Sequence, residues 1–204
     1  MATILERWGL TAEELTEVID SNPSLRGFMI GYVGEFKLWQ MLLADERIAH
    51  AHKYDNHDRA HRNDLAVLYR EHEFTFEVKS LKTNSIKYSG DVYSGDFQCD
   101  ASDRQPVRLP NGETVETTCL LVGGFDIVAV NLFAFREQWD FAFALNRELP
   151  RTKSKKYTPA QQRYLLATSI RITWPLQAPF VSDPFPLLDK LIAEREKRSR
   201  KRRA

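Results

Sequence analysis

What the chain is short of narrows it first. Two cysteines in 204 residues, Cys99 and Cys119, are too few for a four-thiolate zinc site or for the disulfide scaffold of a small secreted domain, which suits a reducing compartment. The opening MATILERW has no basic segment leading into an apolar one, so no signal peptide is expected. Long hydrophobic runs are missing as well. The most apolar stretch, 119–135, carries Gly123, Gly124, Asp126 and Asn131 in its middle and is too short and polar to span a bilayer. A G-x-S-x-G elbow, an HExxH zinc helix, a P-loop and a dinucleotide fingerprint are all absent, which argues against serine-hydrolase chemistry, a zincin site and any nucleotide cofactor. With no internal repeat and no interdomain linker, and with 43% hydrophobic and 28% charged residues, the expectation is one soluble cytoplasmic domain over 1–204 with a single core and no membrane partner.

Neither sign of charge is in excess overall, yet the formal net of +1 conceals an asymmetry. Residues 195–204 hold seven basic side chains and one acid, a net of +6, which leaves the rest of the chain at −5. A mildly acidic body with a basic tail suits an enzyme that gathers acids around a metal and touches a polyanion elsewhere. The basic residues of the tail are nearly contiguous, so on a helix they surround the axis, and nonspecific phosphate contact is the role that pattern suits.

Local signals lay out the elements. Thr11 with Glu14 is a capping box and predicts a helix to about Asp20. Asn22 and Pro23 suit the N-cap and first position of a longer helix to about Ala44, on which Leu25, Phe28, Met29, Tyr32, Phe36, Trp39 and Leu43 recur at three- and four-residue steps. Gly27, Gly31 and Gly34 interrupt it, each costing roughly 0.8–1 kcal/mol against alanine. Either the helix packs closely on a sheet there, or a ligand's backbone comes near. Strands are expected over 48–54, 65–69 and 74–80, the last two joined by the loop Arg70-Glu71-His72-Glu73. Asn111-Gly112 predicts a hairpin between 107–109 and 114–121 through a type I′ turn, because both residues accept positive φ. Two further strands are expected over 125–133 and 139–145, the first apolar on both faces and so central. Thr158-Pro159 opens a short helix, and a last helix runs from about Phe185 into the tail.

Alternation along 74–80 puts Phe74, Phe76 and Val78 on one face and Thr75, Glu77 and Lys79 on the other. With the hairpin centred between Glu71 and His72, Asp64 falls opposite Lys79 and Ala66 opposite Glu77. Cross-strand partners share a face, so Asp64, Glu77 and Lys79 converge. Neighbouring carboxylates repel unless a cation lies between them, and oxygen-only ligands suit a hard ion such as Mg²⁺. A lysine beside that ion can orient or help deprotonate a water and can hold a phosphate oxygen. That is equipment for hydrolysing a phosphodiester.

The order of the parts, a helix carrying Glu35, then Asp64, twelve residues and Glu77-Val78-Lys79 on a hairpin, resembles the PD-(D/E)xK nuclease superfamily, the fold of most type II restriction endonucleases. The likeness covers 23–80 well and the rest more loosely. It implies Asp64 and Glu77 as metal ligands, the Val78 carbonyl as a third ligand, Lys79 as the catalytic lysine and Glu35 as the acid on the first helix near the metal. It further implies an α/β fold with a central mixed β-sheet flanked by helices, a Mg²⁺ cofactor for which Mn²⁺ substitutes, and double-stranded DNA as substrate. Cutting both strands of a symmetric site would call for a homodimer. Asn63 stands where the name of the motif has proline. The superfamily usually has a helix between its third and fourth core strands, whereas 81–121 shows no helical period. Either a short polar helix near 100–104 or an extra β hairpin fills that segment, and the hairpin is the expectation adopted.

Further residues suit nucleic acid. Lys82, Asn84 and Lys87 follow the catalytic strand with no acid among them, as a loop leading onto a phosphate backbone would. Lys153, Lys155 and Lys156, with Arg151 and Arg163, form a second acid-free cluster. Gln98 and Arg104, with Asp100, Ser102 and Gln105, carry side chains that read base edges. His50, His52, His57 and His61 fall in a short window without a zinc pattern and are read as strand and loop residues. Asp126, opening an apolar strand, is either a surface strand end or a structural polar contact near the site. The function expected is a Mg²⁺-dependent endonuclease of the restriction type. A repair or junction-resolving nuclease of the same fold and a non-catalytic nucleic-acid-binding module are the alternatives, and the retained Asp64, Glu77 and Lys79 favour the enzyme.

Overall fold

The computed structural model describes residues 2–53 and 63–203, so His57 and His61 lie outside the described residues. Capping builds the helical N-terminal portion. Thr3 and Glu6 close a capping box on α1 (Ile4–Trp8), which ends on Gly9 at φ +64°, and Thr11 and Glu14 do the same for α2 (Ala12–Ser21), as expected. The long helix α3 (Pro23–Leu43) begins on its proline, but the Asn22 side chain donates back to the Val18 carbonyl (2.7 Å) and leaves α3 without a side-chain cap. Proline brings no N–H to that first turn, which removes one of the donors a cap would satisfy.

Strands follow: β1 (Ile48–Lys53), β2 (Leu65–Tyr69), β3 (His72–Ser80), β4 (Lys87–Ser89), β5 (Val92–Gln98), β6 (Asp100–Arg108), β7 (Thr114–Cys119) and β8 (Ile127–Asn131). Extra β structure thus occupies 81–121, and 100–104 is strand, not helix. The short α4 (Phe133–Arg136), β9 (Phe141–Leu145), α5 (Pro159–Gln162), β10 (Ser169–Trp174) and α6 (Phe185–Arg203) complete the chain. No helix among the described residues is long and apolar enough to cross a membrane.

The central sheet has the order β1-β2-β3-β8-β9, with β3 and β8 parallel and the other neighbours antiparallel. It is the mixed sheet flanked by helices that was expected. Phe74, Phe76 and Val78 pack with Leu38 and Leu42 of α3 and Leu188 and Leu191 of α6. Val128 and Val130, on the other face, pack with Ala142, Ala144, Phe97 and Ile172, the last two from a smaller sheet β10-β5-β4. All five residues of β8 are buried, as its two-sided apolar pattern required.

The two hairpin turns exchange their expected roles. Tyr69 pairs with His72, so the β2–β3 loop is Arg70 and Glu71 alone, both at positive φ (46° and 64°), the form a two-residue type I′ turn takes. His72 and Glu73, expected in the loop, belong to β3. The register therefore moves by two residues: Ala66 faces Thr75, not Glu77. A two-residue shift keeps every side chain on its face, so the convergence of Asp64, Glu77 and Lys79 survives. Of Asn111 and Gly112, by contrast, only Gly112 has positive φ (91°). Leu109 N–H donates to the Glu113 carbonyl (2.7 Å) and Gly112 N–H to the Leu109 carbonyl (2.9 Å), closing a three-residue loop in which glycine takes the left-handed position.

α3 also departs from expectation in the face it buries. Its buried residues are Gly34, Leu38 and Leu42, whereas Phe28, Tyr32 and Phe36 of the apolar stripe are exposed. A Cβ on Gly34 would come within 2.7 Å of Asn131 Nδ2 at the end of β8. Three- and four-residue spacing is shared by neighbouring faces of a helix, and this close approach selects the one that enters the core.

Arg195, counted with the basic tail, is anchored. It donates to both oxygens of Asp126 (2.9 and 3.0 Å) and to the Glu73 carbonyl (2.7 Å), and Asp126 accepts from Thr75 N–H as well (3.0 Å). Asp126 is thus the structural contact of the two readings, tying β3 to α6.

Candidate active site

Glu77 and Lys79 project from β3 on the side opposite Phe76 and Val78. Asp64 precedes β2, and its N–H donates to the Phe76 carbonyl (3.2 Å) while its Oδ2 accepts from the Val78 N–H (2.6 Å). The β2–β3 ladder is thereby continued by a side chain, and the register carried one step further sets Asp64 across from Glu77. Lys79 Nζ is 2.6 Å from Glu77 Oε1 and donates to the Asp100 carbonyl at 3.4 Å. From α3, Glu35 brings a carboxylate whose Oε2 is 2.8 Å from Lys53 Nζ of β1. That oxygen is buried, and the Lys53 ammonium is the charge set against it. All four residues line one cleft of about 710 Å³, together with Phe28 and Tyr32 of α3 and Ser102 and Gln105 of β6.

Charge in this cleft is under tension. Burial pushes the Glu77 carboxyl up to about 7, Lys79 pulls it down and the Asp64 charge adds to the rise. Burial likewise raises Asp64 against the pull of Lys79 and the Val78 N–H, and raises Glu35 against its contact with Lys53. Burial alone would lower Lys79, but Glu77 and Asp64 outweigh it and raise the ammonium instead. Burial would neutralise the carboxylates; Lys79 opposes it.

As donors, three carboxylates and the Val78 carbonyl offer oxygen only, which matches a hard divalent ion. The described residues hold no ready-made group of three His, Cys, Asp or Glu ligands, because Glu77 is closed onto Lys79 and Asp64 onto Val78 N–H. The residues fit a hard cation in kind, with the Lys79 ammonium in the place of the positive charge.

The remaining candidates are not gathered here. Lys82 and Asn84 lie in the turn after β3, Lys87 on β4, Gln98 at the end of β5, Arg104 on β6, and Lys153, Lys155 and Lys156 between β9 and α5; none lines the cleft. Gln98 is turned to its neighbour, its Nε2 donating to Asp100 Oδ2 at 3.1 Å. In β6 the pairing is irregular between Asp100 and Gln105, so simple alternation fails and Ser102, Asp103 and Gln105 reach the cleft while Arg104 does not. Sequence reasoning placed Phe28 and Tyr32 in an apolar stripe. The signal that they border a cleft was the pair of mid-helix glycines beside them, Gly27 and Gly31, which also line it. His50 and His52 stack on β1 with ring centroids 6.5 Å apart, and among the described residues no histidine joins a metal-binding group.

No protein-family model matches the chain, and no curated protein matches it. Among solved structures, a bacterial homing endonuclease, I-Ssp6803I, is similar over 67% of this chain and 86% of its own, with 16% sequence identity and a TM-score of 0.38.

Proposed function

We infer that this cleft hydrolyses phosphodiester bonds in DNA, as a Mg²⁺-dependent endonuclease of the type II restriction kind. One observation carries the reading: Lys79 lies 2.6 Å from Glu77 on the face shared with Asp64, in the same cleft as Glu35. Asp64, Glu77 and the Val78 carbonyl would hold the ion, which supplies a water of lowered pKa and positive charge for the phosphate oxygens. The chain's own groups do the rest. Lys79, kept protonated by two carboxylates, donates to a phosphate oxygen or orients the attacking water once Glu77 turns away from it. Glu35, raised by burial, takes up a proton more readily near neutral pH than an ordinary carboxylate does. Asp64, pinned by the Val78 N–H, keeps the second carboxylate in place.

On this reading Lys82, Asn84, Lys87, Lys153, Lys155 and Lys156 meet phosphates flanking the cut, Gln98 and Arg104 meet bases, and the tail beyond Arg195 adds nonspecific contacts. Two copies of the chain would serve the two strands of a symmetric site. The test is purified protein on plasmid DNA with Mg²⁺, with Mn²⁺, and with EDTA. Discrete fragments with either ion and none with EDTA are expected. A smear would overturn the sequence specificity, and an intact plasmid with both ions would overturn the nuclease reading.

A further inference from the structure

Phe28 and Tyr32 lie four residues apart on α3, so their rings lie along one face of the helix. They are 67% and 52% exposed and line the cleft that holds Glu35, Asp64, Glu77 and Lys79. The core does not ask for them, since α3 enters it through Gly34, Leu38 and Leu42. Gly27 and Gly31 line the same cleft, and a Cβ built on either meets nothing within 4 Å. Packing therefore explains Gly34 and leaves the other two glycines without a reason in the fold. Beside them, the Glu35 Oε2 is held by Lys53 Nζ at 2.8 Å. Lys53 Nζ stands 5.5 Å from the Tyr32 ring centroid, and two weakening glycines with two exposed aromatics on one wall make sense when something flat lies against that wall.

The cleft, about 710 Å³, is the size of a small-molecule pocket, for which about 300–1,000 Å³ is usual. A cleft of that size suits a nucleotide drawn out of the stack better than a whole duplex. A base shows its π-face only when unstacked, and aromatic side chains accept any base presented that way.

Building on the nuclease reading, we propose that Phe28 and Tyr32 stack on a nucleotide unstacked beside the scissile phosphate, with Gly27 and Gly31 leaving room for its sugar and phosphate. The cleft then acts on duplex DNA in which the base beside the cut is unstacked as the complex forms, so that a base already unpaired there binds more readily.

The test uses the full chain and short duplexes carrying a cut site mapped on plasmid DNA, either fully paired or with one mismatch beside the scissile bond. Wild type should show a lower KM for the mismatched duplex, because part of the unstacking is already done. Phe28→Ala with Tyr32→Ala should raise KM for both duplexes about five- to hundredfold and erase the preference, with the thermal midpoint unchanged. Phe28→Trp with Tyr32→Phe should restore it. Gly31→Leu should raise KM while melting no lower than wild type, a combination a purely structural glycine would not produce. Equal KM for paired and mismatched DNA in wild type, or wild-type KM in the double alanine variant, would overturn the aromatic wall. A wild-type protein that cuts no DNA at all would instead overturn the nuclease reading.

Discussion

Two clusters of charge are built on β3 and its neighbours, and they are finished in opposite ways. At one, Asp126 receives both of its oxygens' contacts from Arg195 and takes a further bond from Thr75 N–H. Donors and acceptors match, and the cluster joins strand to helix. At the other, the three carboxyls of Glu35, Asp64 and Glu77 share two ammonium groups, Lys53 on Glu35 and Lys79 on Glu77, and all three are pushed upward by burial. A cluster that only holds the fold together has no reason to bury more carboxyls than it has cations, whereas on the nuclease reading a site that admits a cation and a phosphate does.

Substitutions in the two clusters should differ most in their effect on cleavage. Glu77→Gln and Lys79→Met should each lower single-turnover DNA cleavage by about 100- to 10,000-fold, while Arg195→Ala leaves it near wild type. Equal losses at both clusters would erase the distinction. Lys79→Met should also destabilise the metal-free protein at about pH 8 by about 3–5 kcal/mol in chemical denaturation, because it strips buried carboxylates of their cation. The loss should shrink as pH falls through about 7, where Glu77 takes up its proton.

In the wild type, the three site carboxyls bind protons more tightly folded than unfolded. Their contribution is therefore fully present below their unfolded pKa, about 4, and is lost as pH rises through about 7, where Glu77 titrates. The melting temperature without divalent ion should fall between about pH 5 and pH 8, and Mg²⁺ should raise it more at the higher pH, because the ligands must be deprotonated to bind. A metal effect independent of pH would separate the ion from these acids.

Smaller effects sharpen the structural side. Arg195→Ala should cost about 1–2 kcal/mol of stability, modest because its guanidinium is partly exposed. Glu71→Gly should gain about 1 kcal/mol by relieving a left-handed residue, with cleavage unchanged if the β2–β3 register holds. Altered cleavage in that variant would mean that the strained turn helps set the site.

Legibility differed from element to element for physical reasons. The Thr11 and Glu14 capping box and the Thr158-Pro159 helix start are local bonds among near neighbours, and both appear as read. Alternation along β3 correctly separated Glu77 and Lys79 from Phe76 and Val78. The turn at Arg70-Glu71 carried no glycine or asparagine to mark it, since pairing of the strands on both sides holds those residues at positive φ. Asn111-Gly112 carried the mark, yet the bond from Leu109 N–H to the Glu113 carbonyl closes a longer loop around it. β10 lies far along the chain from its partner β5, and nothing local announces such pairing.

Which residues share a face on β3, where the N-terminal helices begin and that the donor set is oxygen and ammonium can all be read along the chain, because these depend on neighbours within a few positions. Packing in three dimensions sets Asp64 across from Glu77 and not Lys79, turns Gly34 of α3 inward and Phe28 and Tyr32 toward the cleft, and binds Arg195 to Asp126. Each of those depends on contacts between residues distant along the chain, where strand register, the approach of a helix to a sheet and the choice of ion-pair partner are set by the packing of the whole molecule.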